Sequence, residues 1–172
     1  MRKMVPLYSA AIVALLIVTA LSACQQKPAE PRQVSVEEAS RLLGVNVPVP
    51  TYLPSDYKIQ EVFIWENTVT LLISDEEIDY KLKDEDLQWK VKLNMTWYSK
   101  GQVGGLKLPG EWVNIGETRG VIVEGETANE LWWIWPEDTN PEKPGQFEFR
   151  LSAIKGISKA ELNRIAESVS QE

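Results

Sequence analysis

The sequence predicts an α+β domain, with an antiparallel sheet of about six strands and a short N-terminal helix and a C-terminal amphipathic helix packed on one face. Three observations carry this. Two helical patterns, each opened by a capping box, stand at the ends of the folded region. Between them the apolar period changes to two over several short stretches rich in β-branched and aromatic residues. The connections between those stretches are turn-like and have no helical pattern, whereas parallel strands would need long crossovers.

The first helix is read from "SVEEASRLLG". Ser35 and Glu38 have capping-box spacing, Val36, Ala39, Leu42 and Leu43 fall on one face, and Gly44 is placed to end the helix. The following "VPVPTYLPSDY" carries Pro48, Pro50 and Pro54, which remove backbone donors and exclude a helix, so this connector is expected to run extended over the surface. The strands are read from "YKIQEVFIW", "VTLLIS", "QWKVKLNMTWY", "GVIVEGE", "ELWWIW" and "FEFRLSAI". Turn chemistry separates them: "EN", "DEE", "KDED", "GQVGGLKLPG", "ETAN" and "PEDTNPEKPGQ". The last helix, in "SKAELNRIAESVS", opens with Ser158 and Glu161 and spaces Leu162, Ile165, Ala166 and Val169 along one stripe.

Ahead of this domain the chain begins Met1-Arg2-Lys3 and continues uncharged to Gln26, with "AAIVALLIVTAL" at its centre. A basic start followed by an apolar stretch is a targeting segment. At its end, Leu21-Ser22-Ala23-Cys24 resembles the lipobox of bacterial lipoproteins. The resemblance implies cleavage before Cys24 and alkylation of its thiol by diacylglycerol, against the alternatives of a spanning anchor or a buried core cysteine. Two or three acyl chains exceed the single chain that gives only marginal binding. The chain then divides into a signal peptide over 1–23, a lipidated cysteine and polar tether over 24–33, and a single domain over 34–172. The expected location is extracytoplasmic, on the cell membrane, with the outer membrane open where a cell has one because Gln25 follows the cysteine.

Composition removes several function classes. The chain has one cysteine and no histidine, so with Cys24 occupied no disulfide, Ser/His/Asp triad, Cys/His dyad or usual zinc site is available. No cofactor or metal is expected. The formal charge is −7, and loss of Arg2 and Lys3 with a cleaved leader makes it −9, which argues against nucleic acid and anionic headgroups as partners. The domain is expected to be a monomer touching the membrane through its lipid alone.

"VPTYLPSDYKI", the run of strands, "ELWWIWPED", "FEFRLSAIKG" and "ISKAELNRIAESV" together resemble an uncharacterised extracytoplasmic domain family. That family occurs on bacterial lipoproteins and on membrane proteins resembling anti-sigma factors. Tyr52, Leu53, Pro54 and Tyr57 match its "YLP..Y" feature, Trp135 its Trp strand, and Ser158 to Ser168 its closing helix. The resemblance implies a sensory or binding module outside the membrane and brings no catalytic residues.

The remaining candidates are aromatic and acidic. In "LWWIW", strand alternation sends Trp133 and Trp135 to one face with Leu131, and Trp132 to the other with Ile134. Trp133 and Trp135 are expected in the core, and Trp132 is the candidate binding residue. The acidic clusters Asp75, Glu76, Glu77, Asp79 and Asp84, Glu85, Asp86 lack the glycine of an EF-hand loop and are read as solvated charge on a hairpin connection. The glycine-rich "GQVGGLKLPG" is read as a flexible crossover in preference to a pocket rim. These features lead to the expectation of a non-enzymatic, lipid-anchored module that binds a protein, an envelope polymer or a small apolar ligand. The alternatives are a lipid or lipoprotein carrier with an apolar cavity and a carboxylate-dependent hydrolase.

Overall fold

A computed structural model describes residues 30–78, 89–99, 101, 105–135, 144–154 and 156–170. Cys24, the signal segment, tether residues 24–29, Asp79 and the cluster Asp84, Glu85 and Asp86 lie outside the described residues. Pro31–Glu172 forms one compact unit. No helix among the described residues is long and apolar enough to cross a membrane.

The architecture is α+β with one antiparallel sheet. In chain order the elements are β1 (Arg32–Gln33), α1 (Val36–Leu43), β2 (Val49–Pro50), β3 (Lys58–Trp65), β4 (Thr68–Ser74), β5 (Val91–Ser99) and β6 (Glu111–Ile115). There follow β7 (Thr118–Glu124), β8 (Ala128–Ile134), β9 (Gly145–Ile154), α2 (Lys159–Glu167) and β10 (Val169–Ser170). Among the described residues the sheet has eight strands, in the order β1-β3-β4-β5-β9-β8-β7-β6. Two meanders, β3-β4-β5 and β6-β7-β8-β9, are joined where β9 pairs with β5 over nine residues, from Val91↔Ala153 to Ser99↔Gly145.

Eight strands replace the expected six because two short ones have weak local patterns. Arg32 and Gln33, read as the end of the tether, pair with Ile64 and Phe63. "EWVNI", lying between a glycine-rich run and a turn, becomes β6 by pairing with β7. The proline-rich connector is extended as expected, but it is not a surface strand. Val47, Pro48 and Pro50 are buried, β2 pairs with β10, and Thr51 N donates to Ser168 O at 3.0 Å. Proline keeps its carbonyl, so a short ladder forms with Thr51 supplying the donor that the prolines lack.

Both capping boxes are made on the N-cap side: Glu38 N donates to Ser35 Oγ and Glu161 N to Ser158 Oγ, each at 3.1 Å. Gly44 ends α1 at φ 68°, where an L side chain is strained. Leu42, expected on the apolar stripe, is 45% exposed. The helix is only eight residues long and buries Ala39 and Leu43, so its neighbouring turn position is left in solvent.

One core joins the two helices to the inward face of the sheet. Ala39, Leu43, Leu162 and Ile165 belong to the same buried cluster as Leu71, Leu93, Met95, Leu131, Trp133, Phe147, Phe149 and Leu151. Two glycines make room for close packing in it. Gly120 stands directly opposite Trp133, and a Cβ there would meet Ile115 Cδ1 at 2.6 Å and the carbonyl oxygen of Trp132 at 2.8 Å. At Gly145 a Cβ would meet the Trp97 ring at 2.5 Å. Lys159, at the start of α2, fastens the helix to the far strands by reaching Glu111 at 2.8 Å and Glu124 at 2.5 Å. Those two carboxylates raise the lysine pKa above its ordinary value. At the other end, Tyr52 Oη donates to Glu161 Oε1 while the Arg164 guanidinium lies 3.8 Å over the Tyr52 ring. The Tyr52 side chain thus holds α2 in place.

Candidate functional site

The period of two in β8 divides the tryptophans between faces. Trp133 is fully buried and stacks on Phe149, with ring centroids 4.6 Å apart and planes 4° from parallel. Trp135 stands just past the end of β8 on the same side. It is half-buried, at 4.8 Å from Phe149 and edge-on to Phe147 at 6.4 Å. Trp132 lies on the opposite, outward face and is half-buried.

Around Trp132 the outward face has a defined order. Reading straight across the strands, directly opposed residues form the row Trp112 (β6), Val121 (β7), Trp132 (β8), Arg150 (β9), Asn94 (β5), Thr70 (β4) and Phe63 (β3). Arg150 places its guanidinium 4.9 Å over the Trp132 ring and bonds Glu130 Oε1 through Nη2. Trp132 Nε1 donates to the other oxygen of the same carboxylate, Glu130 Oε2, at 3.0 Å. A single glutamate therefore fixes both the ring and the cation stacked on it, and each contact restricts the rotamers of the other. The cation–ring stack, without the shared carboxylate, recurs at the edge, where Arg119 lies 5.0 Å over the ring of Trp112, itself 49% exposed.

Beside this pair is a shallow depression of ≈ 210 Å³, lined by Trp89, Lys92, Asn94, Glu130, Arg150 and Ser152 together with Thr127 and Ala128. Its chemistry is that of hydroxyl, amide and charged groups. Further along the face Thr70 Oγ1 donates to Asn94 Oδ1 at 2.8 Å, and Thr68 and Thr96 share a hydrogen bond at 3.0 Å. Glu148 lies opposite Thr96 and Ile134, where burial pushes its carboxyl above the ordinary glutamate value. Neither Lys92 nor Arg119 has a carboxylate partner among the described residues.

A second depression, of ≈ 290 Å³, is lined by Lys58, Gln60, Glu61, Asp75, Glu77 and Ile78. Asp75, Glu76 and Glu77 are exposed, and no group of three or more His, Cys, Asp or Glu side chains able to hold a metal occurs among the described residues. The described part of the glycine-rich loop does not line the depression beside Trp132. Gly110 packs instead on β7, where a Cβ would meet Ile122 O at 2.3 Å.

Sequence reasoning singled out Trp132 but missed Trp112, Arg119, Arg150 and Glu130. Glu130 and Arg150 sit at outward positions of alternating stretches, so their face was legible. Their convergence was not, because it depends on β9 pairing with β8.

No protein-family model matches the chain, and no curated protein matches it either. A crystal structure of a protein from Bacteroides thetaiotaomicron VPI-5482 is similar over 69% of this chain and 43% of that one, at 15% identity and a TM-score of 0.36. The chain spans less than half the length of that structure, and likeness at this level bears on neither fold nor function.

Proposed function

We propose that this protein is a lipid-anchored extracytoplasmic binding or sensory module without catalytic activity, held to the cell membrane through Cys24 and engaging its ligand with the outward face of the sheet. The observation that carries the choice of face is the Trp132–Arg150–Glu130 arrangement. It keeps a large indole outside the core, half-buried and locked in position, as a binding anchor requires.

Two further facts support binding over the alternatives. A carrier needs an open apolar interior, but here Leu131, Trp133, Phe147, Phe149 and Leu151 fill the inward face at 1% exposure or less. A carboxylate-pair hydrolase needs two acids within about 10 Å. On the proposed face Glu130 and the outward Glu148 are offset by four residues along their strands, about 13 Å, and the closely spaced Glu111 and Glu124 are both bound to Lys159.

Two experiments on the full-length chain in cells test the reading. Cys24→Ser is expected to accumulate as an uncleaved precursor without acyl label; normal processing and label would remove the anchor. A photo-crosslinking residue at position 112 is expected to give adducts that one at position 42, exposed on α1, does not. Adducts from position 42 alone would move the binding face to the helices.

A further inference from the structure

The proposed binding face has features that select among ligand classes. Trp112 and Trp132 stand in one row two strands apart, about 9.6 Å at the usual strand spacing. That backbone separation is close to one disaccharide of an extended β-1,4-linked chain, so side chains carried at this spacing match alternate sugar rings, each indole meeting its sugar on the face its arginine leaves open. Sugar rings present axial C–H groups to an aromatic face, and the hydroxyls around their rim need hydrogen-bonding partners. Past Trp132 the row supplies them as Arg150, Asn94 and Thr70, with Lys92, Glu130 and Ser152 alongside in the depression. No exposed large aliphatic side chain is present on this face among the described residues; its exposed large hydrophobics are Trp65 and Trp112.

The charge is also specific. The chain as a whole is acidic at −7, yet its outward face presents Lys92 and Arg119 without carboxylate partners among the described residues, while Glu130 is paired with Arg150 and Glu148 stands one outward position further along β9. An anionic ligand is attracted to such a patch while the rest of the domain repels it, which fixes where it binds.

We propose that the row Trp112–Val121–Trp132–Arg150–Asn94 is a track for an extended β-1,4-linked glycan bearing carboxylates, with two sugar rings stacked on Trp112 and Trp132 and the carboxylates met by Arg119 and Lys92. This rests on the assignment of the outward face as the binding face and adds the identity of its occupant.

The test uses the full-length chain in detergent micelles and four polymers: carboxymethylcellulose, neutral hydroxyethylcellulose, α-1,6-linked dextran and polyglutamate. Binding is expected to be tightest to carboxymethylcellulose, weaker to hydroxyethylcellulose, and absent for dextran and polyglutamate. Trp112→Ala and Trp132→Ala should each weaken carboxymethylcellulose binding about tenfold. The double variant Lys92→Gln, Arg119→Gln should lower it to the level of the neutral polymer. Trp112 is half-exposed, so its variant reports on binding even where Trp132→Ala lowers stability. Equal binding to polyglutamate, unaffected by either tryptophan variant, would reduce the track to a charge effect and overturn it. No binding to either cellulose, with adducts still forming from position 112 in cells, would overturn the glycan while leaving the binding face. Loss of both would overturn the face as well.

Discussion

Trp133 and Trp132 are neighbours in the chain, and their surroundings have almost nothing in common. Trp133 faces a glycine across the sheet, lies flat against Phe149 and has no contact with solvent. Trp132 faces an arginine, shares a carboxylate with it and is only half-buried. The difference teaches that a strand can hold one residue type for two purposes, provided the partner strands present opposite chemistry on their two faces. Inward, β9 supplies Phe147, Phe149 and Leu151; outward, it supplies Glu148, Arg150 and Ser152.

The comparison is broken most severely by Trp133→Ala. Removing a fully buried large aromatic is expected to cost about 3–5 kcal/mol, seen as an early cooperative transition in urea or heat. Trp135→Ala, at a half-buried position, should cost clearly less. Equal costs at Trp133 and Trp132 would dissolve the distinction between the faces. Trp133 Nε1 is buried without an acceptor among the described residues, so Trp133→Phe, which removes that donor, should be milder than its lost volume suggests.

Gly120→Ala comes next. The added methyl meets the Trp132 carbonyl oxygen, which cannot rotate away, and a loss of about 1–3 kcal/mol is expected in the same unfolding assay. Outward substitutions should be gentler. Trp132→Ala is expected to cost about 1 kcal/mol, the size of one partly exposed cation–π contact, and Trp112→Ala less than about 0.5 kcal/mol, while both impair binding.

The smallest effect sharpens the comparison through pH. Glu148 is held above the ordinary glutamate value by burial, so the folded chain keeps a proton there that the unfolded chain has already released. Between the ordinary and the raised values the folded state binds more protons, and its stability falls as pH rises through that window. Below the ordinary value both states are protonated and the penalty vanishes. Glu148→Gln should therefore flatten this part of the melting temperature against pH and raise it slightly at neutral pH. An unchanged slope would remove Glu148 as its source.

The local features were legible where the code is local. Ser35 with Glu38 and Ser158 with Glu161 place helix starts because a cap acts over three residues. Alternation in "LWWIW" separates Trp132 from Trp133 because successive side chains in a strand point to opposite faces. Tertiary structure decided what depends on distant chain. Arg32–Gln33 and Glu111–Ile115 become strands by pairing with β3 and β7, and Pro50 enters a ladder only when Val169 arrives opposite it. Leu42 is solvated because α1 buries only Ala39 and Leu43. Trp132 acquires Arg150 from a strand eighteen residues on, and Trp112 joins their row through β7. Periodicity fixes which side of a strand a residue takes, since that follows from the backbone alone. Which strand lies beside it, and therefore which charge or ring it meets, is set by cross-strand hydrogen bonds and by burial of the whole inward face at once.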